Sequence, residues 1–283
     1  MDNMNISDGK MDKADLKVYL LYLLKNIYKI AEENNIPIYA SGGTCLGAVR
    51  HKGIIPWADD IDLMIFRCDY DRFIDLCEKQ LPFPVVIRTR ENDPYFYQEF
   101  AKICFMDDDG KYTDVSIDIF ELDETNPDRK YFRKLQNLLK TGLYYIKMYK
   151  VSRLGYGDYM PKSIIKKALL GFFSRILTIS SIDRLLKRVL TAEKTAGEYL
   201  VNWGAAYNYK RATYPKKAFG TPKKMQFENT YVWVGQHPEM ILEQLYGKNY
   251  MTPPPPEKQT DHGVKSFRCS KLDFEKIKKE VGM

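Results

Sequence analysis

The segment that decides the fold is Ser41-Gly-Gly-Thr-Cys-Leu-Gly-Ala-Val-Arg-His-Lys-Gly-Ile-Ile-Pro-Trp-Ala-Asp-Asp-Ile-Asp62. Residues 36–40 read as a short strand, so Gly42 and Gly43 fall where the chain leaves a sheet and turns with bare backbone N–H groups. The apolar residues between 44 and 51 suit a helix that starts at this turn. Because a helix N-terminus beside a glycine turn favours an anion, we expect a phosphate to bind here.

The end of the same segment supplies negative charge. Residues 61–66 are apolar and β-prone except for Asp62, and Asp60 precedes them. Residues i and i+2 of a strand point to the same face, so the two carboxylates should project side by side. Two carboxylates held that close either share a proton or hold a cation. Hard oxygen ligands suit Mg²⁺ or Mn²⁺, so we predict a metal site that needs a third acid.

Asp118 is the candidate for the third acid. It lies in the strand-like stretch 114–120, between Ile117 and Ile119. A lone carboxylate among isoleucines is costly to bury unless something pairs with it. A shared metal, or a role as general base, would offset that cost; the alternative is an edge position or a structural pairing with Lys or Arg. Because Asp60 and Asp62 need a partner, we predict the catalytic role.

Three separated motifs resemble the LicD-type phosphotransferases, whose core is similar to the nucleotidyltransferase superfamily. They are the segment 41–62, the strand around Asp118, and Leu245-Tyr-Gly-Lys-Asn-Tyr-Met-Thr-Pro-Pro-Pro-Pro256. The resemblance implies an α/β (α+β) fold: a nucleotidyltransferase-like mixed β-sheet core with flanking helices and a helical insertion. One departure is Ala58, since the family commonly has three consecutive acids after this tryptophan.

The resemblance also implies a reaction. Phosphocholine, or a related phospho-alcohol, would pass from CDP-choline or another CDP-alcohol to a sugar hydroxyl, with release of CMP. The acceptor would be a cell-surface glycan, a lipid-linked glycan, or a teichoic acid or lipopolysaccharide precursor; fukutin-related members use CDP-ribitol. Asp60 and Asp62 would hold Mg²⁺ or Mn²⁺, and Asp118 would share a metal or take the acceptor proton. Such catalysis depends mainly on positioning and charge neutralisation.

Further residues are candidates for binding the donor. The glycine turn would cradle the phosphates, and basic residues would neutralise the departing CMP. The alternatives are a solvated basic turn after the helix and, for the lysine at 102, an exposed position on an alternating strand. Trp57 is either a packing anchor or a platform for cytosine or choline. The donor-binding candidates are Ser41, Gly42, Gly43, Thr44, Arg50, His51, Lys52 and Lys102.

Periodicity predicts helices at 12–34 and 69–80 and strands near 85–90, 99–106 and 112–120. A largely helical section should follow, from 126 to about 200. We therefore divide the chain into a nucleotidyltransferase-like catalytic core (1–125), a helical basic segment (126–200) and a C-terminal family region that packs on the core (201–283).

Composition and charge narrow the cellular setting. The 283 residues carry a net charge of +7, and residues 162–190 concentrate basic and apolar side chains in an amphipathic pattern. We expect either a peripheral membrane contact through 162–190 or a helix packed on the core with solvated lysines. No nucleic-acid motif accompanies the charge, so nucleic acid is a poor candidate for a partner.

Cysteine usage and the N-terminus favour the cytoplasm. The five cysteines form no CxxC pair and read as reduced thiols. The N-terminus lacks the pattern of a signal peptide, and the apolar stretches are too interrupted to span a bilayer. We therefore expect a cytoplasmic protein that contacts the inner face of the cell membrane.

Two other functions fit the same residues. A nucleotidyltransferase that adds a nucleotide from a nucleoside triphosphate could use the same glycine turn and acids. An inactive membrane-surface adaptor of the same fold is the third hypothesis, prompted by Ala58. Release of CMP from a CDP-alcohol, as against pyrophosphate from a triphosphate, separates the first two.

Overall fold

The computed structural model describes residues 9, 11–193, 197–205, 207–259 and 263–283. Within these residues the helices are α1 (Lys13–Glu33), α2 (Gly42–His51), α3 (Arg67–Gln80), α4 (Lys130–Arg153), α5 (Ile164–Ile176), α6 (Ile179–Leu190), α7 (Pro238–Tyr246) and α8 (Phe274–Glu280). The strands are β1 (Ile38–Ala40), β2 (Ile61–Phe66), β3 (Val85–Arg88), β4 (Ala101–Met106), β5 (Tyr112–Thr125), β6 (Tyr199–Val201), β7 (Thr213–Pro215), β8 (Lys223–Phe227) and β9 (Thr230–Val234).

A mixed sheet organises the chain. Its strand order is β1-β2-β5-β4-β3, in which β2 and β5 run parallel and the other neighbours run antiparallel. The strand β5 is long enough to serve two partners: its first part lies between β2 and β4, and its end pairs with β6, which pairs with β7. The predicted α/β fold with a mixed sheet and flanking helices is therefore confirmed.

One face of this sheet carries the main core. Apolar residues recur every three or four positions in α1, so that its buried stripe packs on β5. Asp12 caps this helix by accepting a hydrogen bond from the Ala14 N–H at 2.7 Å. Ile61, Leu63 and Ile65 of β2 point into the same core. The helix predicted at 12–34 is confirmed, with its cap at the first predicted residue.

The opposite face is smaller and partly open. Met64, Phe120 and Leu122 pack there against Tyr39 and against residues of the C-terminal region, including Tyr214, Ile241 and Leu245. This packing brings α7 over the ends of β2 and β5. The open part of this face carries the predicted acids.

The chain between β5 and β6 forms three helices up to Leu190, which agrees with the predicted helical section. Ile146 and Tyr149 of α4 pack against Leu170 of α5 and Leu186 of α6. In α5, whose residues are all described, only Leu170, Gly171 and Ser174 are buried. Across the described residues, no helix is long and apolar enough to cross a membrane.

The helix after the first strand differs from the prediction. We expected the two glycines to form a turn before a helix starting near residue 44, but α2 begins at Gly42, with Ser41 as its N-cap. The turn and the first helical residue coincide, because Gly42 adopts a φ of +44°, in the left-handed region that glycine tolerates. The predicted boundaries at 69, 90 and 99 move by two residues, to 67, 88 and 101.

Candidate functional site

Charged side chains form one row across the sheet. Asp62 of β2 is the register partner of Asp118 of β5, which is the partner of Lys102 of β4, which in turn is the partner of Arg88 of β3. Register partners on neighbouring strands point to the same face. Asp60, Asp62 and Asp118 all line one cavity of about 940 Å³. The structure therefore brings the three predicted acids to the same wall.

Asp118 has a fixed cationic partner. Lys102 Nζ donates to Asp118 Oδ1 and also to Ser116 Oγ, the latter at 3.3 Å. Burial raises the pKa of Asp118, and the contact with Lys102 opposes that rise. Lys102 itself lies off the cavity wall, so it acts there through Asp118. The structural pairing that we considered as an alternative for Asp118 is thus present, alongside its exposure to the cavity.

Asp62 lacks such compensation. Its backbone N–H donates to Thr44 Oγ1 at 2.8 Å, but no side chain or N–H among the described residues donates to its carboxylate. Burial raises the pKa of Asp62 well above its ordinary value, and repulsion from Asp60 and then Asp118 adds to the rise. A carboxylate in this position gains from a cation that the protein does not supply.

The donor set is chemically suited to a divalent cation. The carboxylates offer hard oxygen ligands. Asp62 and Asp118 are register partners on neighbouring strands. Such a pair fits Mg²⁺, which commonly binds through one or two carboxylates. In the part of the chain that the structure describes, no group of three or more His, Cys, Asp or Glu side chains is arranged to hold a metal ion. The fit therefore rests on this pair, with Asp60 on the same wall.

The glycine turn lies directly against the acids. A Cβ at Gly42 would lie 3.3 Å from Asp62 Oδ2 and 3.7 Å from Tyr246 Oη. The missing side chain allows the backbone of the turn to approach the Asp62 carboxylate closely. Ser41, Gly42 and Gly43 line the cavity as predicted for phosphate-binding residues.

The basic residues that follow α2 separate into two groups. Arg50 lines the cavity, donates to Tyr250 O at 2.8 Å and lies 5.8 Å from the Trp57 ring. His51 and Lys52 lie off the cavity wall, because α2 ends there; His51 contacts the Trp57 ring edge-on and Lys52 forms the left-handed C-cap. Thr44 also lies off the wall, where it ties α2 to β2. These three residues thus lie apart from the cavity, and their role in donor binding stays a prediction.

Sequence reasoning missed several residues of the site. Tyr246 reaches the acids from α7, and only the resemblance of its Leu-Tyr-Gly motif pointed to that segment. Burial raises the pKa of Tyr246, and the negative charge of Asp62 contributes. Asp59 has a different role from the acids next to it: its Oδ2 accepts from the Gly263 N–H at 3.0 Å, which ties the catalytic segment to the C-terminal region.

The sequence shows similarity that agrees with this geometry. Residues 35–143 match the family model described as LicD/FKTN/FKRP, nucleotidyltransferase domain. This chain carries a LicD-family domain. The domain contains the glycine turn, Asp60, Asp62, Lys102 and Asp118, and it ends within α4.

Named relatives extend the similarity beyond the LicD-family domain. Lipopolysaccharide cholinephosphotransferase LicD of Haemophilus influenzae is 26% identical over 271 residues, which cover 90% of this chain and 97% of that protein. Ribitol-5-phosphate transferase FKTN of Mus musculus is 35% identical over 115 residues, which cover 41% of this chain and 23% of that protein. An uncharacterized protein of Rickettsia typhi, RT0683, is 38% identical over 146 residues, or 45% of each chain.

Proposed function

We propose that this protein is a metal-dependent phosphotransferase. It moves phosphocholine, or a related phospho-alcohol, from a CDP-linked donor to a sugar hydroxyl of a cell-surface glycan, a teichoic acid or a lipopolysaccharide precursor, and it releases CMP. The observation that carries the proposal is the Asp62–Asp118 pair, which lines a cavity beside the Gly42 turn, with Lys102 bonded to Asp118. Similarity to a cholinephosphotransferase and a ribitol-5-phosphate transferase supports the reaction class.

Each residue has a defined task in this reaction. Asp60 and Asp62 would hold Mg²⁺ or Mn²⁺, which would neutralise diphosphate charge when bound. The N–H groups at Gly42 and Gly43 bind the phosphoryl oxygens that lie against α2.

Proton transfer falls to Asp118. Lys102 holds Oδ1 of this carboxylate, so Oδ2 is the atom that takes the proton of the acceptor hydroxyl. As that proton leaves, the acceptor oxygen forms a bond to the β-phosphorus and the bond from phosphorus to the CMP oxygen breaks. Arg50, in the last turn of α2 and on the same cavity wall, would neutralise the departing CMP.

The assay uses the purified full chain with Mg²⁺, a glycan extract as acceptor, and CDP-choline, CDP-ethanolamine, CDP-ribitol or CDP-glycerol. We expect CMP from at least one donor and its near-complete loss in Asp60→Ala. Asp75→Ala, on the exposed side of α3, is the matched control and should keep wild-type activity. Pyrophosphate from a nucleoside triphosphate, without CMP from any donor, would establish the nucleotidyltransferase instead. Biological function that survives Asp60→Ala would support the adaptor.

The surface of α5 favours a membrane location for this reaction. Apolar residues of a helix normally face the core, but here they face outward. Ile164, Ile165, Leu169, Phe172, Phe173 and Ile176, which we call the α5 apolar face, are 42–84% exposed. Lys162, Lys167 and Arg175 flank them. Because apolar side chains ringed by cations suit an anionic bilayer surface, we propose that α5 lies on the inner leaflet, near a lipid-linked acceptor.

Vesicle cosedimentation tests the membrane proposal. The wild type should pellet at low salt with vesicles of phosphatidylcholine and phosphatidylglycerol, and less with phosphatidylcholine alone. The double variant Ile165→Ser with Phe172→Ser should stay in the supernatant. Phe83→Ser removes an equally exposed aromatic residue outside α5 and should pellet normally. Equal pelleting of the double variant, or no pelleting of the wild type, would refute the proposal.

A further inference from the structure

The cavity extends past the acids in one direction. Phe120 follows Asp118 by two residues, points to the same face and is the register partner of Met64. Its ring lies 4.4 Å from that of Phe100. This pair therefore lies beyond the Asp62–Asp118 pair, on the side away from Asp60. We call this end the inner arm, and its lining residues are Gln98, Glu99, Phe100, Lys140, Tyr144 and Asn202.

The inner arm contains polar groups without protein partners. Glu99 is 5% exposed; its Oε2 accepts from Arg90 Nη1 at 3.2 Å, whereas Oε1 has no hydrogen-bond partner among the described residues. Asn202 Oδ1 accepts from the N–H groups of Gly204 and Ala205, each at 3.0 Å. Its Nδ2 donates to no residue in the described ranges. The Gln98 amide likewise has no hydrogen bond within the described chain.

A buried, unpaired atom such as Glu99 Oε1 is uncommon in a folded protein. Buried polar atoms nearly always have a hydrogen-bond partner, and leaving one unpaired costs about 1–3 kcal/mol. Glu99 offers an acceptor, Asn202 offers a donor, and Gln98 offers both. The three come from segments before β4 and after β6, so their convergence is a property of the fold rather than of one flexible loop. They form a set of hydrogen-bonding groups that a ligand can complete.

The rings and the packing of the inner arm favour a flat, hydroxyl-rich ligand. A Cβ at Gly204 would lie 3.0 Å from Phe120 Cδ1 and 3.2 Å from Phe100 Cδ1, so the loop after β6 rests directly on both rings. Tyr144 contributes a further ring from α4. An aromatic ring such as that of Tyr144, next to hydrogen-bonding groups, suits the C–H face and hydroxyl edge of a sugar or polyol.

The charges in the inner arm disfavour a quaternary ammonium group. The cations of Arg90, Lys140 and Lys147 all act on Glu99, and Lys140 Nζ is held by Trp203 O at 2.6 Å. A bound ammonium would meet these fixed positive charges, and it has no N–H to donate to Glu99 Oε1. Neutral hydroxyl groups meet neither difficulty.

We propose that the inner arm binds a polyhydroxylated group, whose hydroxyls donate to Glu99 Oε1 and accept from Asn202 Nδ2. The inference rests on the proposed function, in which this chemistry has two sources: the sugar of the acceptor and the alcohol of a CDP-polyol donor. With a choline donor, the group is the acceptor sugar.

Direct binding tests the inner arm without any turnover. Saturation-transfer NMR on the full chain, with free ribitol, glucose and choline as probes, should show transfer to ribitol or glucose. Glu99→Gln should weaken that binding about tenfold or more, as expected for a hydrogen bond to a charged group. Glu121→Gln also neutralises a buried glutamate paired with an arginine, Arg67, but one that lies off this cavity, and it should bind the probes like wild type. Transfer to choline alone, no transfer at all, or equal binding by Glu99→Gln overturns the proposal.

A second variant covers the case in which Glu99→Gln does not fold. Gln98→Leu removes an amide that has no partner among the described residues, so it should keep the thermal unfolding temperature and weaken probe binding about threefold or more. Unchanged binding in a folded Gln98→Leu counts against the proposal.

The transfer assay then separates the two sources. A raised KM for the glycan acceptor in Glu99→Gln, with CDP-choline as donor, identifies the acceptor sugar; a raised KM for CDP-ribitol but not CDP-choline identifies the donor alcohol. If polyols bind in a way that depends on Glu99 but the protein releases no CMP, the result supports the inner-arm proposal and refutes the proposed function. If the protein releases CMP but binds no polyol, the result supports the proposed function and refutes the inner-arm proposal.

Discussion

Asp62→Asn should stabilise the metal-free protein and abolish transfer. The Asp62 carboxylate receives no hydrogen bond from any described residue, and Asp118 is its register partner. Burial raises its pKa well above the ordinary value, and Asp60 and Asp118 repel its charge. Its ionised form therefore works against folding at neutral pH, while its proposed function as a metal ligand requires that form.

The magnitude follows from the spacing of the strands. Neighbouring strands lie about 4.8 Å apart. Two unit charges about 5 Å apart repel by roughly 3 kcal/mol at an effective dielectric constant of about 20. Lys102 bonds to Asp118 and offsets part of this repulsion. We therefore expect a net gain of about 1–2 kcal/mol, or about 2–4 °C in Tm for each kcal/mol in a chain of this size.

The pH dependence of the stability difference between Asp62→Asn and wild type follows from the direction of the Asp62 pKa shift. The folded pKa of Asp62 lies above its unfolded value of 3.8, so the contribution of this group to stability is complete below that pH and is lost as the pH rises through the folded pKa. The advantage of Asp62→Asn over wild type should therefore grow as the pH rises from about 4 to the folded pKa of Asp62, stay constant above it and vanish in acid. Thermal unfolding followed by circular dichroism in EDTA measures it at each pH.

A matched variant, at a buried acid that does have a cationic partner, should lower stability instead of raising it. Asp123, on β5, is a buried acid like Asp62. Unlike Asp62, it has a cationic partner, because its Oδ1 accepts a hydrogen bond from Arg67 Nε at 2.7 Å. Asp123→Asn removes one partner of that pair and should lower stability by about 3 kcal/mol. Mg²⁺ should raise the Tm of wild type more than that of Asp62→Asn, because a ligand stabilises only the state that binds it. A Tm that falls in Asp62→Asn, or an advantage that shrinks with rising pH, would refute the reasoning.

Two further perturbations test the turn and the helical segment. Gly42→Ala puts a Cβ 3.3 Å from Asp62 Oδ2 at a φ of +44°. It should lower the free energy of unfolding by about 1–3 kcal/mol and reduce CMP release. Gly43→Ala, with nothing within 4 Å of the added atom, is the matched control for thermal stability. Asp183→Asn leaves the fully buried Lys147 ammonium without its carboxylate partner, which lies 2.6 Å away. It should lower the free energy of unfolding in urea by about 3 kcal/mol. Equal urea midpoints for the variant and wild type would show that the ion pair contributes nothing to stability.

Local sequence patterns were enough to predict the first five strands and to place Asp62 and Asp118 on two of them, but they predicted none of the strands β6 to β9. Alternation around Asp118 and the two-residue spacing of Asp60 and Asp62 depend only on the pleat of a strand. The register that pairs Asp62 with Asp118 could not be read from these patterns, because it depends on the parallel pairing of β2 with β5, more than fifty residues apart. The same limit applied to Lys102, which the sequence offered as a donor-binding candidate on an alternating strand, whereas its pairing with Asp118 depends on the register of β4 with β5.

The inner arm lay beyond prediction for a different reason. Gln98, Glu99 and Asn202 are polar residues near strand ends, where polar residues are usually solvated, and no spacing relates them. The set becomes informative only when the fold brings the three residues together and buries Glu99 Oε1 without a partner. Asp59 shows the converse, since a residue next to two predicted ligands serves as a tether to Gly263.

We propose that the order of charges in the row determines where the phosphates of the proposed donor bind. From β2 to β3 the row runs from Asp62 and Asp118 to Lys102 and Arg88. Arg88 is engaged by Asp93 at 2.7 Å, and Lys102 by Asp118, so neither cation is available to a phosphate in the cavity. The uncompensated negative charge is therefore concentrated at Asp62, beside the glycine turn. A cation drawn there would meet phosphates held by the turn, which makes β2, and not the lysine-bearing β4, the donor side of the site.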